Sequence, residues 1–161
     1  MSIKAISALM IFCFALSTRA QEPPIALPFK TLAQQSQCEH SQRKDYVIRT
    51  QADWEKLYQK IYGVQLNAKA ARSDSALLKI DFAKQMIIAV FQGQKPSGGY
   101  SIEITKLVRD GKRLEVVIEE KAPGKNCFTT QVLTHPFHVI VTEKSDRKVV
   151  FTRRQITVDC R

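Results

Sequence analysis

The residues best suited to metal binding or nucleophilic chemistry are three histidines and four cysteines. His135 and His138 enclose a Pro-Phe pair, and Cys127 and Cys160 are the thiols that could complete a zinc site with them. Two residues three apart on an extended segment point to opposite sides, however, which separates the imidazoles. Oxidation of the thiols would also remove two ligands. We therefore predict no metal site.

Covalent or acid–base catalysis is not indicated either. A nucleophilic Cys127 would need a free thiolate beside His135 or His138 and a third residue to orient the imidazole, and no such residue is recognisable. Glu119 and Glu120 are adjacent, so on a strand they face opposite sides and cannot flank one bond. No serine lies in a nucleophile-elbow sequence, and no glycine-rich loop opens a helix to cradle phosphate. The sequence predicts neither an enzyme nor a cofactor.

The composition of residues 93–100 predicts a loop with an unusual backbone conformation. Residues 93–100 read Gly-Gln-Lys-Pro-Ser-Gly-Gly-Tyr and lie between two strand-like runs. Pro96 fixes φ, whereas Gly98 and Gly99 allow angles that a side chain would forbid. Loops held by rigid strands often carry binding sites, although a wide β-turn without function is the simpler alternative.

A single helix is predicted upstream of this loop. Thr50 begins a capping-box-like sequence in which Asp53 replaces the usual Glu. Gly63 is expected to end the helix. Its apolar face recurs at i, i+3, i+4 and i+7 and is expected to pack on a sheet; its residues are Trp54, Leu57, Tyr58 and Ile61.

The rest of the chain reads as strands. Met86–Gln92 is almost continuously apolar, which predicts a central strand buried on both faces. Alternating patterns predict the hairpin 100–105/114–119, whose hydrophobic faces match if a three-residue loop ends at Gly111 and pairs Ile104 with Val116 and Ile102 with Ile118. The other predicted strands are Tyr46–Arg49, Leu77–Phe82, a second hairpin of Phe137–Thr142 with Val149–Thr152, and Ile156–Val158. The predicted fold is α+β, mainly antiparallel, with a sandwich-like sheet and one N-terminal amphipathic helix.

The start of the chain resembles a secretory signal. Lys4 precedes an apolar run at residues 5–16, and Thr18-Arg19-Ala20 forms a cleavage-site pattern, so cleavage is predicted after Ala20. The run is too short to span a bilayer, and no transmembrane segment is expected in the mature chain. We expect a secreted or periplasmic protein with a flexible arm at 21–37 and a single β-rich domain at 38–161.

The charge balance narrows the class of partner. Twenty-five Lys and Arg residues stand against 15 Asp and Glu, and loss of Lys4 and Arg19 with the leader leaves 23 and a net charge of +8. An exported basic domain meets acidic proteins or an anionic envelope surface. No arginine–aromatic pattern marks a nucleic-acid module. The densest cationic cluster comprises Lys144, Arg147, Lys148, Arg153 and Arg154.

Three cysteines remain after cleavage, so one pair is expected in an oxidising compartment. Mirror pairing across the predicted second hairpin places Val132 opposite the neighbourhood of Cys160, with Cys127 a few residues further along. This favours a Cys127–Cys160 disulfide and leaves Cys38 free or intermolecular.

The segment from 77 to 142 resembles the C-terminal domain of the protease complex subunit PrcB family. The resemblance rests on Asp81-Phe82-Ala83-Lys84, on Ile87-Ile88-Ala89-Val90, on residues 93–104 with their Gly-Gly-Tyr loop, on Ala122-Pro123-Gly124 and on Thr134-His135-Pro136-Phe137-His138-Val139. It implies an exported, non-catalytic domain that accompanies an exported protease.

A second resemblance concerns two loops. Lys95–Tyr100 is similar to the Asn-Pro-Thr-Thr-Gly-aromatic loop of the chagasin-like cysteine-protease inhibitors, and His135-Pro136-Phe137 to their Arg-Pro-Trp loop. An assembly module for a protease, a chagasin-like inhibitor and a basic envelope-surface domain are thus the alternatives. For the first, the predicted protein-binding residues are Lys95, Pro96, Ser97, Gly98, Gly99, Tyr100, His135, Pro136 and Phe137.

Overall fold

Eight strands and one helix form the part of the protein that the computed structural model describes, residues 23–63 and 79–160. The predicted leader, residues 1–20, lies outside it. The elements are β1 (Ile25–Leu27), β2 (Phe29–Gln35), β3 (Arg43–Ile48), α1 (Gln51–Tyr62), β4 (Gln85–Gln92), β5 (Ser101–Asp110), β6 (Arg113–Pro123), β7 (Phe137–Glu143) and β8 (Lys148–Val158).

The strands form two four-stranded sheets, which we call sheet 1 and sheet 2. Sheet 1 has the order β1-β5-β6-β8, and sheet 2 has the order β2-β7-β4-β3. Every neighbouring pair is antiparallel except β6 and β8, which run parallel. This arrangement confirms the predicted α+β, mainly antiparallel, sandwich-like fold.

Helix α1 begins and ends where the sequence predicts. The Thr50 hydroxyl accepts a hydrogen bond from the backbone N–H of Asp53 at 3.2 Å. Gly63 adopts a left-handed φ of 66°, and its N–H donates to the carbonyl of Gln59. The predicted apolar face is buried against the outer side of sheet 2. Among the described residues, no helix has the length and apolar character needed to cross a bilayer.

Strand β4 is buried on both faces, as its apolar sequence predicts. Ile87, Ala89 and Phe91 pack towards α1. Met86, Ile88 and Val90 pack between the two sheets. Two hydrophobic layers therefore share this one strand, which fixes the stacking order helix, sheet 2, sheet 1.

The N-terminal segment differs from the predicted flexible arm. Residues 25–27 pair with β5, and residues 29–35 pair with β7. Leu27 and Phe29 pack against the core between the sheets, while Leu32 packs against the core under α1. Pro28 separates the two strands, so the segment changes sheets at a residue that lacks a backbone donor. The sequence shows no clear alternation of apolar and polar residues here, and the prediction of a flexible arm followed from that.

The predicted strand Leu77–Phe82 is also corrected. Residues 77 and 78 lie outside the described part of the chain, and residues 79–82 form no strand. Asp81 instead organises a turn: its carboxylate accepts from the N–H of Ala83, and its carbonyl accepts from the N–H of Gln85. Such local side-chain bonding competes with sheet formation.

The β5–β6 hairpin has a different register from the predicted one. Asp110 faces Arg113 across a two-residue Gly111-Lys112 turn, and Ile104 faces Ile118. A bulge at Thr105 shifts the register between these positions. Because the bulge adds one residue to β5, the hydrophobic faces of the two strands match on both sides of it. The prediction assumed one constant register along the hairpin and therefore missed this shift.

The predicted hairpin between residues 137–142 and 149–152 does not exist. β7 belongs to sheet 2, whereas β8 is one continuous strand of sheet 1 that also contains the predicted strand Ile156–Val158. The connection is held in its crossing path because Arg49 donates to the carbonyl of Ser145 at 3.0 Å, and Arg147 donates to that of Gly111 at 2.9 Å.

Candidate functional site

Strand direction brings three segments to one end of the sandwich. The loop 93–100 follows β4, the segment 124–136 follows β6, and β8 ends beside them at Val158. We call this the apolar end. The turn Gly111-Lys112 and the connection 144–147 lie at the opposite end.

The predicted binding loop is fastened to the segment that precedes β7. The backbones of Lys95 and Thr134 exchange two hydrogen bonds of 2.8 and 3.0 Å. The Thr134 hydroxyl donates to the carbonyl of Ser97, and the N–H of Gly98 donates to the carbonyl of Thr130. The structure therefore places Lys95–Tyr100 beside His135–Phe137, two segments that the sequence grouped together.

The geometry of the loop favours glycine at both positions. A Cβ at Gly98 would lie 2.4 Å from the Thr130 hydroxyl oxygen, so that side chain would have to rotate away and lose its present position. Gly99 has a φ of 83°, a conformation that other residues adopt only with strain. The close approach and the left-handed angle explain why breakers are concentrated here.

The predicted protein-binding residues differ in their exposure to solvent. Pro96 and Gly99 are exposed, and Lys95 lies with its ammonium group 5.6 Å from the centre of the Tyr100 ring. Pro136 and Phe137 are buried, so they cannot touch a partner in this structure.

Phe137 belongs to the core because its ring stacks on Phe91, with 5.7 Å between centroids. His135 is half-buried, and its Nδ1–H donates to the carbonyl of Cys38 at 2.9 Å. Phe137 therefore forms no part of the surface, whereas His135 is partly exposed beside the loop.

Sequence reasoning missed the most exposed apolar residues of this end. Phe128 is fully exposed, and Val132 and Leu133 are 56% and 52% exposed. Val158, at the end of β8, is 43% exposed. The available signal was the presence of large apolar residues in a stretch without strand or helix periodicity, between Gly124 and His135.

A disulfide joins the segment to the end of β8. Cys127 and Cys160 are bonded, as predicted, although no β7–β8 hairpin brings them together. The parallel pairing of β6 with β8 does so, since Pro123 lies opposite Val158 and the N–H of Gly124 donates to the carbonyl of Val158. Cys38 is unpaired in the described part of the chain.

A groove of about 370 Å³ opens beside the disulfide. Phe128 and Val158 form apolar parts of its wall, Lys121 is the only charged side chain among its described lining residues, and Gly99 belongs to its rim. The remaining lining residues are Ser101, Pro123, Cys127, Thr129, Thr130 and Cys160. A shallow cleft with an apolar wall and a cation can hold a side chain or short segment of another protein.

The histidines and the free thiol are engaged in structural bonds. His138 is buried between the sheets, where its Nδ1 accepts from the N–H of Ile104 at 2.8 Å and its Nε2 donates to the Thr31 hydroxyl. Burial lowers the pKa of His138 to about 4. The Cys38 thiol donates to two backbone carbonyls, and burial raises its pKa to about 11, so it is protonated at neutral pH.

Across residues 23–63 and 79–160, no cluster of three or more His, Cys, Asp or Glu side chains is arranged to hold a metal ion. His135 and His138 bond to different elements of the fold, which matches the separation expected from their spacing.

A buried ionic network closes one side of the sandwich. Glu120 is 1% exposed and accepts from Arg43 at 2.8 Å and from Arg153 at 3.0 Å. Gln155 donates to the same carboxylate at 2.9 Å, and Arg153 also pairs with Asp45. Because β3 lies in sheet 2 and β6 and β8 in sheet 1, the network links the sheets. All its charges are mutually paired, so its role is structural.

Comparisons with known proteins give one result. Neither curated proteins nor solved structures yield a match. Residues 86–143, which run from the start of β4 to the end of β7 and include the Gly-Gly-Tyr loop, match the family model described as PrcB C-terminal, and this match confirms the PrcB resemblance over that segment.

Proposed function

We propose that this protein is an exported, non-catalytic binding module that associates with an exported protease or another envelope protein through its apolar end. The matched family takes its name from a subunit of a protease complex, which supports association of this chain with a protease complex. The proposed position of the binding surface rests on the geometry of the loops.

The observation that carries the proposal is the fixed display of Phe128. A large aromatic ring in water is costly unless a partner covers it, and aromatic side chains beside well-formed pockets dominate binding energy at interfaces. Phe128 follows the disulfide-bonded Cys127, and its segment is fastened again at Thr130 and Thr134 by the loop 93–100. The loop thus positions the backbone of the binding surface, and little backbone entropy remains to be lost on binding.

The inhibitor alternative receives less support. A chagasin-like mode would use the His135-Pro136-Phe137 loop as a second contact, but Pro136 and Phe137 are buried. Only the loop 95–100 remains available for such a mode. The assembly role requires no second exposed loop, and we favour it for that reason.

The test is site-specific crosslinking in cells that export the full chain. A photoreactive amino acid at position 128 is expected to capture a partner, whereas the same amino acid at position 25 is not. Ile25 is the matched control because it is also an exposed apolar residue, 41% accessible, and it lies near the opposite end.

The captured partner is then purified and its affinity measured. Phe128→Asp is expected to weaken binding by at least about 30-fold, in line with loss of an interfacial hot spot. Ile25→Asp should leave the affinity unchanged. Capture of a partner other than a protease or envelope protein, or equal affinity for Phe128→Asp and the unsubstituted protein, would contradict the proposal.

A further inference from the structure

The fold divides the cationic cluster identified in the sequence into two groups. Arg153 pairs with Asp45 and Glu120, and Arg154 lies 3.8 Å from Glu119. Lys144, Arg147 and Lys148 have no carboxylate within 4.0 Å among the described residues. The uncompensated positive charge is therefore concentrated where β8 begins.

Further cations meet this group at the same end. The turn between β5 and β6 contributes Lys112 and Arg113, both exposed. We define the basic end by Lys112, Arg113, Lys144, Arg147 and Lys148. The acidic residues beside these cations are Asp110, Asp146 and Glu143, and Glu143 lies 3.9 Å from the further cation Arg109, so positive charge prevails.

Hydrogen bonding fixes several cations without cancelling their charge. Arg147 donates to the carbonyl of Gly111, and Lys144 donates to that of Phe82 at 2.8 Å. Arg49, which has no carboxylate partner within the described part of the chain, donates to the carbonyl of Ser145. A carbonyl oxygen orients a cation but has no net charge, so the positive potential of this end remains directed at solvent.

The shape of the basic end favours an extended anionic surface over a folded protein. A broad depression of about 550 Å³ lies between the two turns and has no aromatic residue in its lining. Among the large exposed apolar residues in the described ranges 23–63 and 79–160, only Ile25 lies near this end, and the others belong to the apolar end. Protein interfaces depend on aromatic and aliphatic anchors, whereas adsorption to charged lipid depends on the number of cations near the surface.

The chemistry of the basic end fits phospholipid headgroups. β1 starts at this end, where Ile25 pairs with Arg109. Each Lys or Arg side chain near an anionic bilayer contributes about 1 kcal/mol of attraction, or about fivefold in binding, so a group of exposed cations on one end of the fold can hold that end against the headgroups.

We propose that the basic end docks on an anionic phospholipid membrane and that the apolar end faces away from it. The eleven residues of β6 connect the two ends, so the apolar end stands roughly 35 Å from the headgroups at 3.3 Å per residue. This inference rests on the charge and shape of the basic end and does not depend on the partner proposed for Phe128.

The test is sedimentation with vesicles of phosphatidylcholine containing 30% phosphatidylglycerol, a composition chosen for the assay. The exported protein is recovered from the cell, and its mass is recorded so that every variant has the same N terminus and none retains the apolar run at residues 5–16. Binding is expected to fall steeply between low and physiological salt and to be absent on pure phosphatidylcholine. Lys112→Gln/Arg113→Gln/Lys148→Gln should reduce the partition coefficient on the order of 100-fold, since each cation contributes about fivefold.

The matched control is Lys44→Gln/Lys60→Gln/Lys125→Gln, which removes the same charge from exposed lysines away from the basic end. It should retain most of the binding. Equal losses in the two triple variants would show that only net charge matters and would overturn the proposal. Equal binding to neutral vesicles, or binding to a soluble acidic polysaccharide but not to vesicles, would overturn it as well. Circular dichroism verifies that both variants are folded.

Discussion

The stability of this protein should depend on pH through His138. Its Nδ1 accepts a hydrogen bond from the backbone of Ile104, so protonation there would set two N–H groups against each other inside the core. Burial lowers the pKa of His138 from 6.5 to about 4. In the unfolded chain the imidazole is free to take up a proton near pH 6.5.

The magnitude follows from this difference. One pKa unit corresponds to about 1.36 kcal/mol, so the neutral form of His138 contributes about 3 kcal/mol to folding. Between the two pKa values the unfolded state binds more protons than the folded state, and stability therefore rises with pH. The contribution is complete above pH 6.5 and is lost as the pH falls towards 4. The lowered pKa of His40, which is buried and faces Lys60 and Lys44, acts in the same direction.

The assay is urea denaturation from pH 7.5 to pH 4 for the unsubstituted protein and His138→Asn. The Asn oxygen can accept from Ile104 but does not titrate, and His40 is present in both proteins. The variant should be less stable at pH 7.5, and the difference should shrink by about 3 kcal/mol by pH 4. Parallel stability curves, or a folded-state NMR titration of His138 with a midpoint near 6.5, would refute the reasoning.

Three further predictions concern the framework of the fold. Trp54→Ala should lower the free energy of unfolding by about 3–5 kcal/mol because Trp54 is 1% exposed; complete quenching of its fluorescence by iodide in the folded protein would contradict this. Glu120→Ala should cost about 1–3 kcal/mol, since it removes the shared acceptor of Arg43 and Arg153 while Arg153 keeps its pair with Asp45 and the half-exposed Arg43 can reach water, and a free energy of unfolding equal to that of the unsubstituted protein would argue against the network. Cys127→Ser/Cys160→Ser should cost about 2–4 kcal/mol, and peptide mapping that links Cys38 to either cysteine would disprove the pairing.

The parts of the fold that were predictable have strong local signals. Thr50, Gly63 and the apolar positions between them specify α1 with caps and a 3.6-residue period. The apolar run of β4 indicates burial on both faces, because no other arrangement covers so many consecutive apolar side chains.

The incorrect predictions concern segments whose structure is determined by tertiary contacts. The segment 25–35 has no alternating pattern, and its pairing with β5 and β7 fixes it. The bulge at Thr105 changes the register within one strand, and the crossing of residues 144–147 depends on Arg49 from a distant element.

The candidate site was predictable only in part. Gly98 and Gly99 revealed the loop because backbone geometry favours glycine there. No sequence signal identified Phe128, since the neighbouring residues do not reveal whether an aromatic ring is exposed. Phe137 was misassigned to the surface because a short motif does not reveal which way a strand will turn.

The parallel pairing of β8 with β6 has a consequence for the order of folding. β6 precedes β8 in the chain, and β7 between them joins the other sheet. Without Arg153 of β8, closing the sandwich would bury Glu120 with Arg43 as its remaining cationic partner in the network, which is less favourable than the complete set of ion pairs. We therefore expect closure of the sandwich to be coupled to docking of β8, the same step that brings Cys160 beside Cys127.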